Sequence, residues 1–115
     1  MLKIIFSEKG ESVSDFEVRS RAKGVIENYL KEKKDTIVTV SNECYFDIFV
    51  LYTMKGFIPE EEIEFIYGDI KLIFDKYCGT RFPNRISFNS VHNDIVSEII
   101  DIGCKNMLKG SENND

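Results

Sequence analysis

The segment from Tyr45 to Tyr52 constrains the fold most, because all but one of its residues (YFDIFVLY) are apolar or aromatic. In a β-strand, alternate side chains point to opposite faces, so Phe46 and Phe49 would lie on different sides of the sheet. A strand that is apolar on both faces is typical of a sheet covered on both sides. We therefore predict a central strand here, with Asp47 at its rim.

The segments before this run also have clear patterns. Leu2–Phe6 and residues 36–41 are short and rich in β-branched residues, which predicts strands. Residues 7–13 are predicted to form a polar loop. Ser14 and Glu17 have the spacing of a capping box, and an apolar stripe at helical spacing follows, so a first helix is predicted from Ser14 to about residue 34.

The second half of the chain indicates two more helices. Pro59 suits the first position of a helix, and an apolar stripe at helical spacing runs from Ile63 to Tyr77, with Gly79 as the stop. Residues 86–88 fit a short edge strand. A third helix is predicted from Asn89 or Ser90 to about Leu108.

The predicted order is β-α-β-β-α-(β)-α, which indicates an α/β (α+β) fold with a three- to four-stranded mixed sheet packed against helices. A chain of 115 residues has room for one hydrophobic core. We therefore expect a single domain over residues 1–109. Residues 110–115 (GSENND) have the composition of a disordered tail.

The sequence also predicts a cytoplasmic location and no membrane contact. No apolar run reaches the roughly 18 residues of a membrane span, and the N-terminal run is shorter than a signal-peptide core. The three cysteines are an odd number without a CxxC pair, which favours reduced thiols. Cys44, placed in a connection between two predicted strands, is expected to be the most exposed of them.

Motifs of catalysis and cofactor binding are absent from the sequence. There is no Walker loop, GxGxxG, GxSxG or HExxH motif. The single histidine, His92, is expected in the first turn of the third helix, where it would not face Asp94. We predict a non-catalytic protein without metal or cofactor.

Negative charge is concentrated in the middle of the chain. The net charge is −5, and residues 36–70 alone carry one lysine against seven acidic residues. Such a surface repels a phosphate backbone but attracts a basic protein. The predicted partner-binding residues combine these carboxylates with aromatic anchors: Glu43, Tyr45, Asp47, Phe57, Glu60, Glu61, Glu62 and Glu64.

In its compact acidic character, its lack of a catalytic set and its acidic segments Asn42–Asp47 and Pro59–Glu64, the chain resembles bacterial toxin-immunity proteins, including those of contact-dependent growth inhibition. The resemblance implies a monomeric or homodimeric inhibitor that neutralises a basic protein. It implies that this partner is a nuclease toxin, and that the inhibitor makes no direct contact with nucleic acid.

Three alternatives remain open at this point. A basic face of the first helix suggests a nucleic-acid or ribosome-associated module, through Arg19, Arg21, Lys23, Lys31, Lys33 and Lys34. A scaffold or homo-oligomeric subunit would bury the third helix. An enzyme would have to use carboxylates or Cys44 without a known motif.

Overall fold

The computed structural model describes residues 1–77, 79–80 and 90–112; in the last of these segments the side chains described are those of residues 95 and 97–109. The elements, in chain order, are β1 (Leu2–Glu11), α1 (Val18–Glu32), β2 (Thr36–Val40), α2 (Glu43–Met54), a 3-10 turn (Glu60–Glu62), β3 (Ile63–Tyr67), β4 (Ile70–Leu72), β5 (Phe74–Asp75), β6 (Gly79–Thr80) and α3 (Ser90–Glu112).

The main sheet has four strands in the order β2-β1-β3-β4. β1 is parallel to both of its neighbours, so that Ile4 lies opposite Val38 on one side and Phe65 on the other. β4 is antiparallel to β3, and β5 pairs with β6 in a separate two-stranded sheet. The predicted fold class, a single α+β domain with a mixed sheet, is confirmed.

The prediction of a strand at Tyr45–Tyr52 is wrong, because this run lies within α2. Every residue from Cys44 to Met54 is buried, since α2 contacts α1 and α3 as well as strands of the sheet. A helix that is packed on all sides is apolar all round, and over a few residues its pattern resembles that of an interior strand. The side chain of Asn42 begins the helix by accepting a hydrogen bond from the N–H of Cys44 at 2.7 Å.

The predicted helix from Pro59 to Tyr77 is also replaced, by the 3-10 turn and strands β3, β4 and β5. Buried residues in β3 alternate, with Ile63 and Phe65 on the core side. The apolar residues of this segment fit both the spacing of a helix and the alternation of a strand. Pairing with the central strand β1 stabilises the strand. Gly68, with a φ of 66°, makes the left-handed turn between β3 and β4.

The remaining elements lie close to their predicted positions. α1 begins at Val18, after a turn in which the N–H of Glu17 donates to the carbonyl of Ser14 at 2.8 Å. No side-chain cap forms at this end, so the predicted capping box is absent. β1 continues through the predicted loop to Glu11. α3 ends at Glu112 and so includes the first residues of the predicted tail. The predicted strand at 86–88 lies outside the described residues.

The two faces of the main sheet differ in how far other elements cover them. α2 covers the face that carries Leu2, Ile4 and Phe65, all of them buried. On the other face, called here the open sheet face, Ile5 and Ile66 are half-buried and Ile37 is 65% exposed. The helices α1 and α2 pack against each other on the covered side, so the sheet is covered on one side by the described helices rather than on both.

Candidate partner-binding site

An open cavity of about 550 Å³, called here the acidic pocket, lies where β3 begins, between the 3-10 turn, β4 and β5. Its lining residues are Met1, Glu60, Glu61, Ile63, Glu64, Phe65, Lys71, Leu72, Ile73 and Phe74. The pocket therefore combines apolar side chains of two antiparallel strands with acidic residues of the 3-10 turn and of β3.

The floor and the rim of the acidic pocket have different chemistry. Ile63, Phe65 and Leu72 are buried and give an apolar floor. Glu60 and Glu61, in the 3-10 turn, are exposed at the rim. The pocket can therefore hold a group with an aliphatic body and a positively charged end.

One carboxylate of the acidic pocket already has a cationic neighbour. Lys71 Nζ lies 3.2 Å from Glu64 Oε1, and the lysine side chain is 70% exposed. The α-amino group of Met1, also at the pocket, is paired with Asp35 at 3.1 Å. An exposed ion pair is worth only about 0 to 1 kcal/mol, so an incoming cation can displace Lys71 from Glu64 at small cost.

Glu62 follows the rim residues in sequence, but its carboxylate is hydrogen-bonded to residues at the end of α1. Lys33 Nζ lies 2.7 Å from Glu62 Oε1, and the Tyr29 hydroxyl donates to the same oxygen at 3.2 Å. The hydrogen bond from Lys33, assisted by its charge, lowers the pKa of Glu62. Glu62 thus fastens the C-terminal end of α1 to the 3-10 turn and is absent from the lining of the acidic pocket.

The structure separates the other predicted binding residues from the acidic pocket. Glu43 accepts a hydrogen bond from the Tyr67 hydroxyl at 3.2 Å, at the opposite end of β3. Tyr45 and Asp47 are only 1% and 3% exposed within α2. Their predicted exposure followed from the mistaken strand, and the structure places both in the core.

Phe57 is exposed, as its predicted role requires, but it lines a different cavity. Its ring is 41% exposed and lies 5.9 Å from Lys23 Nζ. The cavity has a volume of about 290 Å³ and also includes Ile26 and Leu30 of α1. Of the eight predicted partner-binding residues, the acidic pocket brings together Glu60, Glu61 and Glu64.

Three of the six basic residues that the sequence assigned to the first helix form ion pairs within the protein. Arg19 pairs with Glu98 of α3, Arg21 with Glu11 of β1, and Lys33 with Glu62. The hydrogen bond with Glu98 raises the pKa of Arg19 further. These contacts attach α1 to its neighbours, and none of them favours a nucleic-acid surface on this helix.

The prediction that Cys44 is the most exposed thiol is wrong. Its side chain is buried at the start of α2, and burial, together with the charges of Asp15 and Asp47, raises its pKa to about 12. Cys104 of α3 is exposed. A buried thiol of this kind is a poor nucleophile.

A histidine, a group of metal ligands or a long apolar helix would each indicate another kind of site. His92 lies in the first turn of α3, as expected. Within the described residues, no three His, Cys, Asp or Glu side chains are grouped so that they could hold a metal ion. None of the described helices combines the length and the apolarity that crossing a membrane requires.

No protein-family model matches the chain, and neither a curated protein nor a solved structure is significantly similar to it. The geometry of its own residues therefore has to support any functional proposal.

Sequence reasoning missed the floor of the acidic pocket. The predicted helix from Pro59 includes Ile63, Phe65 and Leu72, which in a helix would not line a common cavity with Glu60. The alternation of Ile63, Phe65 and Tyr67, followed by Gly68, was the signal for a strand and turn that could have located it.

Proposed function

We propose that this protein is a non-catalytic binding protein that receives a basic segment of a partner protein in the acidic pocket. The observation that carries the proposal is the position of the Glu60 and Glu61 carboxylates at the rim of an apolar floor. Lysine and arginine match such a site, because their aliphatic stems cover apolar surface while the charged ends remain with carboxylates and water.

The charge of the rim selects among ligand classes. A phosphate or nucleic acid would meet Glu60 and Glu61 at the rim and would be repelled. A cationic protein would be drawn to the same residues, since complementary fields raise association rates. Binding of this kind weakens with added salt, because the rim carboxylates are exposed.

The narrower form of the proposal is an inhibitor of a basic nuclease toxin, acting in the cytoplasm. Its support is the resemblance to immunity proteins together with the acidic pocket. A nuclease active site is rich in cationic side chains because it binds phosphates. An inhibitor that inserts its own carboxylates there excludes the nucleic-acid substrate without any catalytic step.

The test begins with affinity capture from the native cells, using the tagged wild-type protein and the double variant Glu60→Lys/Glu61→Lys. A matched control, Glu8→Lys/Glu32→Lys, makes the same change in net charge at exposed positions outside the acidic pocket. The captured protein is then purified and its affinity for each variant is measured by calorimetry at two salt concentrations.

The proposal predicts a basic partner whose affinity falls at least about tenfold, or 1.4 kcal/mol, in the pocket variant. The control variant should bind nearly as tightly as the wild type. Equal binding by the pocket variant, or capture of an acidic partner, would contradict the proposal. If the captured protein is basic and binds in the pocket but has no nuclease activity, only the narrower form fails.

A further inference from the structure

The outward face of α3 carries a row of exposed apolar side chains, called here the α3 stripe. Its members are Ile100, Cys104, Met107 and Leu108. Positions i, i+4, i+7 and i+8 lie on one face of a helix, so these side chains form a single surface. Ile95, Ile99 and Ile102 lie on the opposite face and join the hydrophobic core.

This face departs from the usual pattern of a surface helix. Such a helix normally turns polar residues to the solvent once its apolar side is packed on the core. In α3 the isoleucine, the methionine and the leucine of the stripe are 60%, 58% and 65% exposed. A single exposed apolar side chain is ordinary, but a contiguous group of them marks an interaction surface.

Charged side chains border the α3 stripe along one flank. Asp101, Lys105 and Lys109 follow one another at intervals of four residues, and all three are exposed. None of them forms a salt bridge with another described residue. Glu98 precedes them but is already paired with Arg19 of α1. The flank therefore has one acidic and two basic groups available to a partner.

We infer that two copies of this chain associate through their α3 stripes, with the two helices antiparallel about a twofold axis beside Cys104. In this register Ile100 of one copy lies level with Leu108 of the second, because each is four residues from Cys104. The exposed apolar side chains of the two copies then cover one another. The stripe is its own complement, as a twofold interface requires.

The flanking charges identify a second copy as the occupant. Across this twofold axis the charged flank of one helix meets the same flank of the other. Asp101 is three residues before Cys104, whereas Lys105 and Lys109 are one and five residues after it. Asp101 therefore lies level with the midpoint between the two lysines of the second copy, and this arrangement occurs twice per dimer. Parallel helices would instead place like charges side by side.

The dimer and the acidic pocket use different residues. No residue of α3 lines the pocket, so each copy in the dimer keeps its pocket accessible. The inference therefore does not depend on the proposed function. Two stripes of this length bury less area than a standard interface, so we expect dissociation constants on the order of tens of micromolar.

Sedimentation velocity under reducing conditions, over about 1 to 200 μM, tests the dimer. The wild type should form a dimer as its concentration rises, whereas Ile100→Lys and Leu108→Lys should remain monomeric. Ile37→Lys is the matched control, since Ile37 is a similarly exposed isoleucine (65%) on β2, and it should dimerise like the wild type. Circular dichroism checks that each variant stays folded, as the exposure of the substituted side chains predicts.

Charge exchange tests the flank. Asp101→Lys makes the flank wholly basic, and the double variant Lys105→Asp/Lys109→Asp makes it wholly acidic. Each should remain monomeric alone at low salt because like charges meet, and an equimolar mixture of the two should form a heterodimer. Self-association of either variant as strong as that of the wild type would contradict the inferred contact.

Cysteine cross-linking tests the direction of the helices. In a Cys78→Ser/Cys104→Ser background, mild oxidation of a mixture of Ile100→Cys and Leu108→Cys, one of them tagged, should give a mixed covalent dimer, because the two positions approach within disulfide range. Each variant oxidised alone should cross-link much less. A wild type that stays monomeric at 200 μM, a dimer that survives Ile100→Lys and Leu108→Lys, or cross-linking of each variant with itself in place of the mixed product would overturn the inference.

Discussion

The ring of Phe46 on α2 lies edge-on to the ring of Phe65 on β3, with centroids 5.6 Å apart and planes inclined at 69°. Phe46 also contacts Phe6 of β1 and Tyr67 of β3, each with centroids 6.2 Å apart. Such pairs contribute about 0.5 to 1.5 kcal/mol beyond the area they bury. One fully buried side chain therefore joins the central helix to two strands of the sheet.

Replacement of this side chain should be among the most destabilising changes in the molecule. Phe46→Ala leaves a cavity between α2 and the sheet, and we expect the free energy of unfolding to fall by about 3 to 5 kcal/mol. Urea unfolding followed by circular dichroism measures the change. Phe16→Ala is the control, because Phe16 is 88% exposed and its loss should change stability by no more than about 0.5 kcal/mol. Similar effects of the two substitutions would contradict this packing.

The same helix shows where prediction from the sequence failed. The order and approximate positions of α1, β2 and α3 followed from spacing and β-propensity, which act locally, although α1 begins four residues later and α3 ends four residues later than predicted. The run in α2 is apolar in every direction because other elements surround it, and a pattern without a polar face cannot distinguish a helix from an interior strand. Asn42, which caps α2, was interpreted as part of a connection.

Part of the candidate site was also predictable from the sequence. The surplus of carboxylates at Glu60 and Glu61 indicated an exposed acidic surface, and both residues are exposed in the structure. The engagement of Glu62 by Lys33, and of Glu64 by Lys71, depends on how strands and helices are arranged in space. Neither pair can be inferred before the fold is known.

Two glycines provide a matched test of local crowding. A Cβ atom added to Gly10 of β1 would lie 2.4 Å from the carbonyl carbon of Val40, whereas one added to Gly24 of α1 would meet nothing within 4 Å. Gly10→Ala should therefore lower the free energy of unfolding by about 1 to 3 kcal/mol, because the backbones of β1 and β2 must move apart.

Gly24→Ala should raise the free energy of unfolding by up to about 1 kcal/mol, since alanine is the better helix former. Thermal unfolding of the two variants beside the wild type measures both changes. A neutral Gly10→Ala would show that β1 does not approach β2 closely at this point.

The thiols should differ widely in reactivity. Cys104 is exposed, whereas Cys44 is buried with its pKa raised to about 12. In a Cys78→Ser background at pH 8, an aromatic disulfide reagent should label one thiol rapidly in the native protein and a second only after unfolding. Adding Cys104→Ser should remove the rapid phase. Rapid labelling of Cys44 in that double variant would contradict its burial.

The pH dependence of stability should report the contact between α1 and α3. Glu98 pairs with Arg19, and Lys55 Nζ lies 3.5 Å from its second oxygen. Burial opposes ionisation of Glu98, but the hydrogen bond and charge of Arg19, with the charge of Lys55, outweigh it and lower its pKa below 4.5. A lowered pKa in the folded state gives stability that is present above the unfolded pKa and is lost as the pH falls through the folded value.

We therefore expect Glu98→Gln to reduce stability at pH 7 and to flatten the loss of stability between about pH 5 and pH 3. The side chain of Glu98 is 38% exposed, so the effect should not exceed about 1 kcal/mol and should shrink in high salt. Urea unfolding across this pH range measures it. Glu32→Gln is the control, because this exposed carboxylate forms no salt bridge among the described residues. If Glu98→Gln and Glu32→Gln give the same profile, the ion pairs of Glu98 do not hold α3 against α1.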